Sequence, residues 1–414
     1  MAKRFTSFIL AAMVLGILAG WGLHANIADP DRLARIGGYL SIVTDVFLRL
    51  IKMIIAPLVF STLVAGIAHM GNTASLGRIG LRTFAWFIMA SVISLLLGVV
   101  MVTLFEPGAS LSLPLPPADA TADIKATGLT LKEFVTHLVP KSAAEAMANN
   151  EILQIVVFSI FFGVALAAVG EKGRVLVQAI DGLVEVMLKV TGYVMLAAPC
   201  AVFAAVAATV GTQGLGILAT YGKFIGTFYL SIGLLWLVLL ALGGFVLGPR
   251  VRRLVREIRE PILLAFSTAS SEAAYPRTLE ALERFGASKR ISSFVLPLGY
   301  SFNLDGSMMY CTFATLFIAQ AYGIELTLAQ KLTMLLLMVT SKGMAGVPRA
   351  SLVVIAATLS FFHIPEAGLL LILAVDHFLD MGRSATNVVG NSIATAVVAK
   401  WEGELGEPAV RDAS

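Results

Sequence analysis

Apolar residues gather into runs at 5–25, 39–69, 82–106, 151–169, 176–209 and 217–248. A helix needs about 20 predominantly apolar residues to cross a bilayer, so this pattern predicts six membrane-spanning helices, some long enough to tilt. After residue 248 the pattern changes. The apolar runs shorten and are interrupted by "FSTASSEAAYP", "GYSFNLDG", "TSKGMAGVP" and "LDMGRSATN". Non-helical backbone survives at membrane depth only where it is buried in protein or lines a cavity. Four such interruptions in the last third of the chain therefore point to a built site.

The later segments keep a consistent alternation across the membrane only if two of them are re-entrant hairpins. Residues 255–286 form the first and 330–363 the second, with helix seven at 291–321 and helix eight at 366–400. Gly343, Gly346 and Pro348 argue against one continuous helix through the second hairpin. A hairpin followed by a broken helix, given twice from opposite sides, is an inverted repeat of the kind that holds midplane sites in transporters. The predicted fold is an all-α polytopic membrane protein of eight spanning helices and two hairpins.

Composition agrees with this pattern: 58% of residues are hydrophobic and 14% charged, against about 45–50% and 25% in soluble domains. The net charge of +4 matters less than its placement. Arg250, Arg252, Arg253, Arg256 and Arg259 follow the sixth run, and "GRIGLR", "GEKGR" and "ERFGASKR" are also basic. The Pro-rich stretch 107–125 carries a single lysine. The positive-inside rule places the basic loops, and with them both termini, on the cytoplasmic side. "MAKRF" leads into an uncleaved first helix. Cys200 and Cys311 both fall in apolar runs and read as small buried hydrophobes. No HExxH, GxSxG, Walker loop or dinucleotide fingerprint is present, which argues against an enzyme, a cofactor or ATP-driven transport.

The polar positions of helix eight carry the chemistry. Asp376, Asp380, Arg383, Asn387 and Asn391 are spaced 4, 3, 4 and 4 residues apart. On a helix they fall within an arc of roughly 80° and form a stripe about 22 Å long. A charge at the bilayer centre costs at least about 2.5–3.5 kcal/mol. An ion-pair ladder used only for packing is a poor explanation, because a buried pair is seldom a net stabiliser. The stripe instead suits a small zwitterionic or anionic solute. Arg383 can hold a carboxylate through two parallel hydrogen bonds and Asp380 an ammonium group, which together describe an acidic amino acid. An aspartic hydrolase built on Asp376 and Asp380 is disfavoured, since both lie on one helix beside an arginine that holds Asp380 ionised.

In helix seven, "NLDGS" supplies Asn303 and Asp305 as hard oxygen ligands, and Gly306 lets the chain unwind. Such a break binds Na⁺ or carries a proton. "STASSE" puts Ser270 and Ser271 at the first hairpin tip, and "GVPR" puts Arg349 at the second, as a gate, a partner for Glu272, or a solvated loop residue.

With "NLDGS", "SKGMAGVP" and "LDMGRSATNVVGN" in view, the chain resembles the glutamate transporter family of dicarboxylate/amino acid:cation symporters, from helix one to Trp401. "GYSFNLDG" and "AKWEGEL" look most like bacterial proton/glutamate symporters. The resemblance implies a homotrimer in the inner membrane. A scaffold of helices 1, 2, 4 and 5 (1–70 and 110–215) would hold a transport domain (78–106, 217–250 and 255–402) that moves as an elevator, with 403–414 as a cytoplasmic tail. It matches Arg383 to the ligand of the side-chain carboxylate and Asp380 to that of the amino group. Ser307, Ser384 and Asn387 match further substrate ligands, and Ser270, Ser271, Gly346 and Val347 hairpin-tip contacts. Gly299, Asn303, Asp305, Ser341, Met344, Asn387 and Asn391 match the coupling-ion set.

The departures concern the cation. Sodium-coupled relatives have an Asp at the position of Asn391, and a Tyr and a Thr where this chain has Phe87 and Ala90, although Ser91 remains. Mammalian members place a proton-carrying Glu where this chain has Cys311. Glu272 is then the remaining proton carrier, and burial raises a carboxyl toward neutrality. Relatives specific for plain C4-dicarboxylates tend to lack an acid at the position of Asp380. The expectation is proton-coupled import of glutamate or aspartate. C4-dicarboxylate transport and sodium coupling are the rivals, and the family also conducts anions.

Overall fold

The computed structural model describes residues 2–68, 73–109, 139–214, 221–340, 350–373 and 375–406. These residues are nearly all helical. The first three helices are α1 (Ala2–Asn26), α2 (Pro30–Ala68) and α3 (Thr73–Phe105). α2 starts earlier than its apolar run because Asp29 and Pro30 set its first turn. The Asp29 carboxylate accepts from the Asp31 amide at 3.0 Å, and proline is pre-organised for the first helical position.

After the short α4 (Ala143–Ala148) come α5 (Ile152–Val169), α6 (Arg174–Met195) and α7 (Ala198–Gln213). The run at 176–209, read as one helix, is therefore two. Pro199 sits in the first turn of α7. Deep in a continuous helix its ring would clash with the Met195 carbonyl and its missing amide would break the ladder.

α8 (Gly222–Leu247) is the sixth long apolar segment. The basic stretch after it is not a loop but a short helix, α9 (Arg250–Glu257), which runs into α10 (Arg259–Thr268) and α11 (Ser271–Phe285). Helix seven is broken, as "NLDG" predicts, into α12 (Lys289–Phe302) and α13 (Asp305–Ala321). α14 (Leu328–Thr340) and α15 (Ala350–Phe361) precede and follow 341–349, the stretch expected to hold the second tip. Helix eight is the short α16 (Leu369–Leu373) followed by α17 (Asp376–Trp401). Five stretches in these residues are long and apolar enough to cross a membrane: Ser7–Asn26, Pro30–Ala68, Gly77–Phe105, Ile152–Met195 and Gly222–Leu247. α7 is apolar but shorter. Cys311 is buried as expected, whereas Cys200 is exposed.

The helices pack into two neighbourhoods. α1, α2, α5, α6 and α7 pack mainly on one another, with α2 touching α5, α6 and α7. α17 is the axis of the other, surrounded by α3, α8, α10, α11, α12 and α13. Lipid tails offer helices no hydrophobic drive to associate, so close packing by small residues must hold such an axis. From Gly382 to Ala399 every residue of α17 is buried, and the run is rich in Gly, Ala, Ser and Thr. Its buried hydroxyls are satisfied one turn back: Thr386, Ser392 and Thr395 donate to the carbonyls of Gly382, Val388 and Asn391 at 2.7–2.8 Å.

The first four residues read as a tail do not hang free. Residues 402–406 cross the ends of four helices. Glu402 accepts from Arg78 and Arg82 of α3, both at 2.8 Å. The Glu404 carboxylate takes Ser288 and Arg290. Leu405 accepts from Arg250 at 3.2 Å, and Gly406 donates to Gly286 at 2.9 Å. Burial pushes the Glu402 carboxyl up, but the hydrogen bond from Arg78 and the charges of Arg82 and Arg78 outweigh it and hold it below the usual range. A carboxyl depressed in the folded state stabilises above its unfolded value and loses that effect as pH falls through its folded value. Glu402→Gln therefore lowers the melting temperature in detergent at pH 7, and the gap from wild type closes below about pH 4. Equal melting temperatures at pH 7 would show that the crossing is idle.

Candidate substrate and coupling-ion site

The first hairpin tip is made by two residues. Ala269 ends α10 in the left-handed region, at φ 49°. The Ser270 amide donates back to Ala265 at 3.1 Å, which closes the helix. The Ser270 hydroxyl then accepts from the Ala273 amide at 3.2 Å and caps α11. Ser270, expected to meet a ligand, thus spends its hydroxyl acceptor on the turn. Ser271, half-buried, opens the first turn of α11, where backbone amides have no helical partner. Glu272 follows it, half-buried, with Lys52 of α2 as the cation acting on it. Ala269→Gly relieves the left-handed backbone, worth about 1 kcal/mol, and raises the melting temperature slightly. A fall would mean that the Ala269 methyl packs usefully.

The two arms of this hairpin are cross-linked at their base. Arg277 reaches Glu260 at 3.5 Å and Glu280 at 2.8 Å, while Arg284 reaches Glu257 at 3.4 Å.

The stripe on α17 faces the broken helix along its length. Near its start, Asp376 accepts from the Tyr310 hydroxyl at 2.7 Å. The Arg383 guanidinium lies 4.9 Å from the centre of the Tyr310 ring, a cation–π arrangement. One helical turn on, Asn387 accepts from the Gly306 amide at 2.9 Å and the Ser307 amide at 3.4 Å, and donates to the Ser307 hydroxyl at 3.3 Å. Those amides belong to the first turn of α13, so a side chain of α17 satisfies donors that the helix break exposes.

Lower on the stripe, Asn303 donates to Asp305 at 3.1 Å and to Asn391 at 3.2 Å. Asn303, Asp305 and Asn391 are all essentially inaccessible. The knot needs two glycines. A methyl on Gly390 would collide with the Asp305 carboxylate, and one on Gly299 with the Asn391 amide. Gly390→Ala costs about 1–3 kcal/mol of packing strain and cuts uptake severely. Uptake at the wild-type rate would remove the knot from the mechanism.

Arg383 and Asp380, expected as ligands of a carboxylate and an ammonium group, stand side by side on α17. They pair with each other, Nη2 to Oδ1 at 2.7 Å and Nε to the same oxygen at 3.0 Å. Ser384 donates to that oxygen as well, at 3.0 Å. The reason is geometric: residues three apart on a helix are neighbours. Arg383 is 8% exposed, and its Nη1 meets no acceptor among the described residues. A buried guanidinium edge with nothing to donate to is costly unless something else occupies it.

Two aromatic side chains of α8 fix α17 in rotation, and local spacing gives no hint of either. Tyr229 donates to the Phe378 carbonyl at 2.6 Å and Trp236 to the Thr386 hydroxyl at 2.9 Å. Tyr310 is equally hidden in the sequence, since its partner lies 66 residues away. Ser341, Met344, Gly346, Val347 and Arg349 lie outside the described residues. Among those described, no three His, Cys, Asp or Glu side chains converge as metal ligands.

Residues 5–401 match the model of the sodium:dicarboxylate symporter family. The chain belongs to that family. It is a multi-pass membrane protein of a transporter family, not of an enzyme family. A proton/sodium-glutamate symport protein of Bacillus caldotenax is 39% identical over 407 residues, 96% of this chain and 94% of that protein. A C4-dicarboxylate transport protein of Anaeromyxobacter sp. (strain K) is 40% identical over 421 residues, 99% and 92% of the two. Another of that description, from Bacillus subtilis (strain 168), is 38% identical over 410 residues, 98% and 95% of the two. Membership of the sodium:dicarboxylate symporter family thus spans both substrate types at the same distance from this chain, and the choice between them falls to individual side chains.

Proposed function

We propose that this protein is a proton-coupled symporter that imports glutamate or aspartate across the inner membrane. The carrying observation is the Arg383 guanidinium, nine-tenths buried, with Nη1 undonated among the described residues. A substrate carboxylate fills that edge. Asp380, at 27% side-chain exposure, is the more open member of the pair. It turns from Arg383 to the substrate ammonium as the carboxylate replaces it on the guanidinium. Ser307, Ser384 and Asn387 line the same stretch, and the first-turn amides at Ser271 suit the second carboxylate.

The coupling ion is a proton on Glu272. Asn303 hydrogen-bonds both Asp305 and Asn391, which supports a knot held by amide donors in place of a cation. Phe87 and Ala90 are buried and offer no oxygen ligand.

The two packing neighbourhoods support a scaffold of α1, α2, α5, α6 and α7 and a transport domain of α3 and α8 to α17. In this reading both hairpins are re-entrant, three copies assemble, and the transport domain carries the site across as an elevator.

The test is uptake of glutamate into proteoliposomes under an imposed pH gradient without Na⁺. Accumulation is expected there, while Glu272→Gln keeps exchange and loses pH-driven accumulation. No uptake without Na⁺, with rescue by Na⁺, contradicts the coupling; unchanged accumulation in Glu272→Gln removes that residue as the carrier. The rival reading, C4-dicarboxylate transport, is favoured by one observation: relatives of that name are as similar as those named for glutamate.

A further inference from the structure

The exposed face of the segment joining α8 to the first hairpin carries three arginines whose role the transport site does not explain. Arg252, Arg256 and Arg259 are all exposed. Ile258, at the join of α9 and α10, departs from helical backbone (φ −87°, ψ 1°), but its amide donates to Leu254 and its carbonyl accepts from the Ile262 amide, both at 3.0 Å, so the helical hydrogen bonding runs through the join. On continuous helical spacing the three then fall within roughly 60° and about 10 Å of one another. The opposite face holds the buried Leu254 and Ile258.

The local acids are already taken. Glu257 is paired with Arg284 at 3.4 Å and Glu260 with Arg277 at 3.5 Å. None of Arg252, Arg256 and Arg259 makes an ion pair among the described residues, so three guanidiniums stand together without a counter-charge.

Their position says what supplies it. α8 is apolar enough to span a membrane, and Phe245, in its last turn, is 93% exposed. A phenyl ring in the open at the end of a span marks the edge of the hydrocarbon. Gly248 then turns the chain, at φ 61°, and the arginine face begins four residues later, at headgroup depth.

We infer that Arg252, Arg256 and Arg259 form a docking surface for anionic phospholipid headgroups. Guanidinium suits this partner, because its fork donates two parallel hydrogen bonds to a phosphate. Three arginines at the surface of an anionic leaflet strengthen association on the order of a hundredfold. The segment joins a spanning helix to a hairpin, so bound lipid holds that elbow at the membrane face.

The experiment compares wild type, R252Q/R256Q/R259Q, and the control R32Q/R35Q/R174Q, which removes three other exposed arginines. Each is held in nanodiscs of phosphatidylcholine alone or with phosphatidylglycerol. Retained lipid is counted by native mass spectrometry, and phosphatidylglycerol affinity is measured by fluorescence titration. Wild type and control retain phosphatidylglycerol, whereas the triple variant binds it about a hundredfold more weakly and matches wild type in phosphatidylcholine. Glutamate uptake by the triple variant in phosphatidylcholine confirms that it is folded, because none of the three touches the transport site. Equal retention by the triple variant, equal loss in the control, or displacement of the lipid by free glycerol phosphate overturns the proposal.

Discussion

Arg383→Lys lowers the affinity for glutamate by about 10²–10⁴-fold, and uptake at low substrate disappears. The loss follows from geometry as much as from charge. Arg383 presents one edge to Asp380 and leaves Nη1 undonated. A planar fork can take the incoming carboxylate on its free edge before Asp380 turns away. An ammonium is a point charge, and Asp380 would keep it. Breaking a buried charge-assisted pair costs about 3–5 kcal/mol, which sets the size of the effect. Lysine also gives up the planar guanidinium that lies 4.9 Å from the Tyr310 ring centre. The check is a titration of purified protein with glutamate. A Lys variant within a few-fold of wild type would mean that the substrate carboxylate sits elsewhere.

The second large effect is a change of substrate rather than a loss of function. Asp380→Ser weakens glutamate and aspartate while succinate and fumarate gain. The Asp380 carboxylate has two claims on it, Arg383 in the structure and the substrate ammonium in the proposed bound state. A plain dicarboxylate takes Arg383 away and returns nothing, leaving Asp380 half-buried and unpaired. Serine removes that penalty together with the ammonium ligand. A hydrogen bond to a charged group is worth about 1.5–3 kcal/mol, so the ratio of glutamate to succinate affinity falls by about 10–150-fold. Competition against radiolabelled glutamate reads the ratio. An unchanged ratio would show that Asp380 serves only Arg383.

What is legible in the sequence depends on the kind of signal. The stripe on α17 was legible because five polar side chains at helical spacing inside an apolar run have few other uses. The break at Asn303 was legible because Asn, Asp and Gly together unwind a helix. The helix pair α10 and α11 was placed to within a few residues by its Ser-rich interruption, whereas the tip expected at Gly343 to Pro348 lies outside the described residues.

What stayed hidden was set by contacts between distant segments or by caps. Nothing around Tyr310 announces Asp376, and nothing around Tyr229 or Trp236 announces α17. The apolar run 176–209 concealed a break because hydropathy does not register one proline. Residues 403–406 fall in the segment read as a tail, yet together with Glu402 they are held by five side chains and one carbonyl from four helices. The pairing of Arg383 with Asp380 was implicit in their spacing of three. The sequence therefore offers the pair as well as the two ligands, and the structure shows the pair formed.

One measurement tests the central claim most directly: counterflow in proteoliposomes loaded with glutamate, in Na⁺-free buffer, against external glutamate, aspartate, succinate and fumarate over a range of pH. The account predicts that glutamate and aspartate exchange, with rates that rise as protons become available, and that succinate and fumarate do not. Exchange with succinate as fast as with aspartate, or exchange that appears only after Na⁺ is added, would contradict it.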